Sequence, residues 1–242
     1  MKLSKSEAVG VALEYLPEID STNLELARRL AGSELPDLYS IAAGSQTKGQ
    51  GRLGRDWVST PDSSLSLSML FQKPKDPQLM PLFFAVATRR AVSAFHPGVQ
   101  IKWPNDLLID GQKVAGLLLQ IVDQDVIAGV GVNLKPQAGT PETACSLGEF
   151  TEVSFDELLS QLLTEAKTSW ERLNRDYESE ASAILVDYQK HCATIGTRVR
   201  AELPDGTELV GMALEVTSAG RLVIDSEGRR ELSAADVWHL RN

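Results

Sequence analysis

Between Gln100 and Leu134 the chain folds back on itself twice, and this segment limits the possible folds more than any other. Gln100–Trp103 and Leu107–Ile109 read as strands. Asp110-Gly111 between apolar runs is a hairpin signal leading into Val114–Val122, and a turn near Asp123–Asp125 returns the chain as Val126–Leu134. Tight turns join antiparallel neighbours, so these segments belong to one sheet. Leu65–Phe71 alternates in period two and predicts a further strand with one buried face. Tyr39–Ala43 predicts another.

Helices separate these strands. Residues about 5–16 read as a short helix. Ser21-Thr22 offer an N-cap for Asn23–Leu30, with Gly32 as the stop. A strongly apolar helix is expected from Leu79 to about Phe95, and two more across 154–191. After Gly196 the pattern changes. Arg198–Leu203, Glu208–Val216, Arg221–Asp225 and Arg229–Leu232 are short strand candidates, separated by Pro204-Asp205-Gly206, Ser218-Ala219-Gly220 and Ser226-Glu227-Gly228. A run of about five short strands suggests a small β-barrel. The expected class is α+β, a mixed sheet with helices over 1–193 and a small β-domain over 194–242.

Bulk properties exclude several functions. Of 242 residues 43% are hydrophobic, yet the apolar runs are short and interrupted, so no membrane span is expected. The amino terminus lacks the pattern of a signal peptide, which leaves the cytoplasm as the expected location. Lys and Arg total 24 against 33 Asp and Glu, a net charge of −9 that disfavours nucleic acid. The dense basic cluster, Lys48 to Arg55, is too small to track a duplex. Cys145 and Cys192 form no metal-ligand pair, and His96, His191 and His239 fit no zinc spacing.

Gly49-Gln50-Gly51-Arg52-Leu53-Gly54 matches the G-x-G-x-x-G dinucleotide fingerprint, but that motif needs a helix directly after the glycines. Here Arg55-Asp56-Trp57-Val58-Ser59-Thr60-Pro61 follows, then an alternating strand. A Walker reading fails too, because Gln50-Gly51 stands where Lys-Ser/Thr should be. The loop could still approach an anion closely, with Lys48, Arg52 and Arg55 supplying charge. It could equally be a flexible surface turn, and the residues alone leave both open. Lys102-Trp103-Pro104-Asn105-Asp106 ends a strand, where polar side chains are well placed for a site. Lys113-Val114-Ala115-Gly116 follows the next hairpin. Two glycines inside Gly129-Val130-Gly131-Val132-Asn133-Leu134 weaken a strand unless a ligand or another backbone lies close.

Together the motifs STN, GQGRLGRDW, KWPND, KVAG and GVGVNL resemble, in order and approximate spacing, those of biotin–protein ligases, over nearly the whole chain. Gln50 departs from the pattern, many relatives having arginine or lysine there. No DNA-reading helix-turn-helix precedes the motifs, so the resemblance is to monofunctional members rather than to those that double as repressors. It implies a biotin/lipoate ligase-like catalytic domain and an SH3-like C-terminal barrel. The implied substrates are biotin and ATP, with Mg2+. The implied partner is a biotin carboxyl carrier protein or domain; homodimers occur in the family.

The resemblance also implies site residues. Ser21, Thr22 and Gln46 would bind the ureido head of biotin, with Asn23 nearby. Gly49, Gln50 and Arg52 would cover the biotin carboxylate and the α-phosphate. Gly116, Leu118 and Gly129 would line the biotin pocket. Arg55, Trp57, Lys102, Asn105, Asp106 and Asn133 would bind ATP, with Arg52 shared and Asp106 the magnesium contact. Lys113 would be the central catalytic cation, assisted by Arg52. The glycine loop is expected to order on binding and to act as a lid. Two alternatives stand beside this reading: a lipoate ligase or lipoyl/octanoyl transferase of the same fold, and a non-catalytic biotin sensor.

Overall fold

The computed structural model describes residues 1–61, 63–137, 141–203, 205–233 and 235–240; Pro204, expected in a turn, lies outside them. The elements in order are α1 (Ser4–Glu7), β1 (Leu13–Ile19), α2 (Thr22–Gly32), β2 (Ser40–Gln46), β3 (Ser64–Phe71), α3 (Met80–Ser93), β4 (Gln100–Lys102), β5 (Asp106–Ile109), β6 (Gln112–Val122) and β7 (Asp125–Asn133). Then come α4 (Phe155–Arg175), α5 (Tyr177–His191), β8 (Arg198–Glu202), β9 (Glu208–Val216), β10 (Leu222–Asp225), β11 (Arg229–Leu232) and β12 (Asp236–His239).

Seven strands form one sheet in the order β1-β2-β3-β7-β6-β5-β4. Only the β1–β2 pairing in it is parallel, so the sheet is mixed, as expected. The two hairpins read from 100–134 form β5-β6-β7, and a third reversal after Lys102 pairs β4 antiparallel with β5. Helix α2 covers one face, where Leu26, Ile41, Leu70 and Ile127 make a small cluster. Helices α3, α4 and α5 lie on the other side, over the main core. α3 is buried nearly all round, from Leu82 through Arg89 without a break, which explains its strongly apolar sequence. α4 starts at a reciprocal capping box between Ser154 and Glu157.

Two sequence expectations are corrected. Residues 5–16 are not one helix: α1 ends at Glu7, Gly10 adopts φ +75°, and Leu13 onward is β1. Pairing with β2 and period-two packing override helical propensity here, with Leu13 and Tyr15 toward the main core and Leu16 toward the small cluster. β3 is buried on both faces, not one. Its odd residues Leu65, Leu67, Met69 and Phe71 enter the main core, while Ser64, Ser66 and Ser68 are buried beneath the α2 side. The alternation is real, but its polar half faces protein.

The C-terminal strands form a five-stranded antiparallel sheet in the order β11-β10-β9-β8-β12. Among the described residues no pairing joins β11 to β12, so the expected barrel is seen as an open sheet. Its buried residues, such as Val199, Ala213 and Ile224, continue the main core. Polar ties reinforce the junction: Trp103 Nε1 donates to Gly220 O at 2.8 Å, and Gln189 Nε2 donates to Val216 O at 2.8 Å. No helix among the described residues is long and apolar enough to cross a membrane.

Phe71 is the hub of the core, edge-on to Phe83 at 5.3 Å and to Trp170 at 5.2 Å. Phe71→Ala should lower unfolding free energy by about 3–5 kcal/mol through lost transfer energy and an unfilled cavity. Urea denaturation checks this; a loss below about 1 kcal/mol would show that the core recloses.

Candidate active site

A cleft of about 220 Å³ opens where α2, the glycine loop, the β4–β7 hairpins and β12 converge. Its inner end is a network of buried polar groups. Ser21 holds the N-cap position of α2 with extended backbone, yet its side chain caps nothing. Thr22 turns instead toward Gln46 at the end of β2: its N–H and its hydroxyl both donate to Gln46 Oε1, at 2.8 and 3.1 Å. Ser68, wholly buried on β3, lies 2.7 Å from Thr22 Oγ1 and 2.5 Å from Asn23 Oδ1. Asn23 Nδ2 donates to Leu118 O on β6 at 3.1 Å. Burying so many polar atoms is costly unless they bond one another or a ligand, so the network fixes donors and acceptors at the floor of the cleft.

The strand glycines are explained by side chains rather than by the ligand or backbone expected from the sequence. A Cβ on Gly129 would sit 2.2 Å from Asn23 Oδ1, and one on Gly131 would sit 2.4 Å from the Trp57 indole. The Trp57 indole therefore occupies the gap left by Gly131, and Gly116 gives it room from β6.

The outer end carries the charges. Lys113 at the start of β6 reaches Asp106 at the start of β5, with Nζ–Oδ1 at 2.7 Å, and lies 5.5 Å from the Trp57 ring centroid. Its backbone is held by Thr143 O and Cys145 N. Asn105 clamps β6 through paired bonds with Leu117: its Nδ2 donates to Leu117 O and its backbone carbonyl accepts from Leu117 N–H, each at 2.8 Å. Burial lowers the pKa of Lys102, with nearby Lys113 acting in the same direction and Asp106 opposing. Burial likewise lowers that of Arg52, opposed by Asp236 and Asp106. Both side chains are placed where water screens charge poorly.

The glycine loop is a tight hairpin rather than a helix start. Gly51 N–H donates to Arg55 O at 2.7 Å and Trp57 N–H to Gly49 O at 2.9 Å, around a single short turn at Arg52–Gly54. This geometry agrees with rejecting a dinucleotide fold. Arg52 Nη1 donates to Ala235 O at 3.3 Å, and Arg55 forms an ion pair with Asp236, both on the C-terminal side.

Of the residues expected from the sequence, Ser21, Thr22, Asn23, Gln46, Gln50, Arg52, Arg55, Trp57, Lys102, Asn105, Asp106, Lys113, Gly116, Leu118 and Gly129 all line this cleft. Gly49 and Asn133 do not. Gly49 is packed beneath Trp57, where a Cβ would be 2.5 Å from the Trp57 carbonyl. Asn133 Nδ2 donates to Cys145 O at 3.0 Å and to Lys113 O at 3.4 Å, supporting Lys113 from behind. The sequence reading missed Ser68 and Asp236. The polar half of β3 was a usable signal for Ser68, whereas nothing local marks Asp236.

A polar pocket beside a row of cations suits a small acid that meets a phosphate, the arrangement of an acid-activating ligase. The biotin protein ligase of Aquifex aeolicus, solved with biotin and ATP, superposes with a TM-score of 0.79 at 25% identity, over 95% of this chain and 99% of that one. The biotin--[acetyl-CoA-carboxylase] ligases of Mycobacterium tuberculosis and Paracoccus denitrificans are 33% and 31% identical, covering 95% and 92% of this chain and 89% and 98% of theirs. Residues 15–136 match the model of the biotin/lipoate A/B protein ligase family. The chain belongs to that family.

Gly131→Ala should push Trp57 out of its seat while leaving the fold in place, since the steric conflict is with a side chain. The check is tryptophan fluorescence with and without iodide: quenching should rise, and the rise should vanish in a Trp57→Phe background. Unchanged quenching would mean the indole is not seated there.

Proposed function

We propose that the protein is a biotin–protein ligase that joins biotin to ATP as biotinyl-5'-AMP and then transfers biotin to a lysine of a biotin carboxyl carrier protein. The observation that carries this reading is the largely buried Thr22–Gln46–Ser68–Asn23 network beside Lys113 and Arg52. In this reading Ser21, Thr22 and Gln46 bind the ureido head, while Gly116, Leu118 and Gly129 line the pocket. Lys113 and Arg52 stand where carboxylate and α-phosphate meet, and Arg55, Trp57, Lys102 and Asn105 hold the nucleotide.

A carboxylate oxygen of biotin attacks the α-phosphorus and pyrophosphate leaves, giving a mixed anhydride. The neutral amine of the carrier lysine then attacks the acyl carbon, AMP leaves, and the new amide loses a proton. Lys113 and Arg52 lower the first barrier by countering charge on the phosphorane, and Lys113 is pre-placed by its contacts. Magnesium would enter on the triphosphate as part of the substrate. Among the described residues no three His, Cys, Asp or Glu side chains form a metal nest, and Asp106 would share its carboxylate between the ion and Lys113. Residues 194–242 are read as a small SH3-like domain that closes the nucleotide end.

The family also contains lipoate ligases. A dithiolane offers almost nothing to hydrogen-bond, so it would strand the polar floor, and such mismatches discriminate strongly. With ATP and magnesium, mass spectrometry should find biotinyl-adenylate, with lipoate or octanoate at least ~10²-fold slower. Comparable turnover of lipoate would shift the assignment to the other branch.

Lys113→Gln keeps the length and polarity of the side chain but not its charge. It should slow single-turnover adenylate formation by ~10²-fold or more, while biotin affinity changes far less. A near wild-type rate would reduce Lys113 to a bystander.

A further inference from the structure

The cations assigned to the nucleotide already face an anion, and it comes from the C-terminal sheet. Asp236 opens β12, lines the cleft, and has a side chain only 16% exposed. It pairs with Arg55, and its charge also acts on Arg52 and Lys102. Arg52 is bonded to the carbonyl of the preceding residue, Ala235. Arg55 thus meets the Asp236 carboxylate directly, and Arg52 and Lys102 lie within its electrostatic reach.

We propose that Asp236 is a displaceable counter-anion. It holds the glycine loop against β12 while the cleft lacks phosphate, and it yields Arg55 to the phosphate chain when the nucleotide enters. The inference rests on the nucleotide reading of the site given above. A triphosphate and Asp236 cannot both lie against these cations without repelling each other, and the interior position strengthens that repulsion. Arg55, whose side chain is 62% exposed, has room to swing from one anion to the other. Asp236 is therefore a positioning residue. It pre-sets the loop, at a cost in nucleotide affinity.

The test compares the full-length protein with Asp236→Asn and Arg55→Gln. Hydrogen exchange of residues 49–57 without ligand reads the tether, and calorimetry with ATP in EDTA reads the competition. Asp236→Asn should speed loop exchange and tighten ATP binding by about 2- to 5-fold, the range expected of a partly exposed ion pair. Arg55→Gln should speed exchange equally but weaken ATP binding, which separates loss of a counter-anion from general loosening. Unchanged exchange in both variants would overturn the tether. Weaker ATP binding by Asp236→Asn, in EDTA or only when magnesium is restored, would make Asp236 a ligand of the substrate and overturn the displacement. The exchange arm needs no nucleotide. A wild type that binds no ATP even with magnesium and biotin present would therefore refute the ligase reading, while the tether would still be decided by exchange.

Discussion

The Lys113–Asp106 ion pair is the constraint around which the site is arranged. The two residues begin adjacent strands, and the β5–β6 register that sets Asp106 opposite Gly116 brings their side chains to 2.7 Å. Gly116 leaves space for the Lys113 stem and for Trp57, and Asn133 supports the Lys113 backbone from β7. Both partners are only partly exposed, 34% and 21%. Removing one would strand the other in a poorly screened position, so the pair fixes geometry more surely than it adds stability. A cation so placed needs little reorganisation when a second anion arrives, which is the condition for effective electrostatic catalysis.

Two kinds of recognition then divide the cleft. The floor, built by α2, β2 and β3, offers hydrogen-bonding atoms at fixed positions. The rim, built by the glycine loop, the Lys102–Asp106 corner and β12, offers charge. In the proposed function, shape and hydrogen bonds would select the acid at the floor, and electrostatics would align the phosphates at the rim. The rim is also where the two sheets meet, through contacts such as Trp103 with Gly220 and Arg52 with Ala235.

Local patterns revealed most of the frame. Asp110-Gly111 and the apolar runs beside it gave the hairpins from Gln100 to Leu134, because turn chemistry and strand pairing there are local. β1 was mistaken for helix since its strand character comes from pairing with β2, a distant segment. β3 reads as half exposed in sequence because a polar residue looks the same whether it meets water or a buried network. Ser68 shows the difference, wholly buried and bonded across to α2. The motif residues were legible through the family resemblance, yet Asn133 and Gly49 support the cleft rather than line it, a distinction only geometry makes. Asp236 carries no local signature and was invisible until β12 was placed beside the loop.

The central claim is that one cleft brings an acid held by a hydrogen-bonding floor to a phosphate held by a charged rim, with Lys113 between them. A crystal structure of the protein soaked with biotin and ATP tests it most directly. The account predicts the ureido ring against Thr22 and Gln46, and the Lys113 amino group within hydrogen-bond reach of both the biotin carboxylate and the α-phosphate. Biotin bound elsewhere, or an α-phosphate contacted by neither Lys113 nor Arg52, would contradict it.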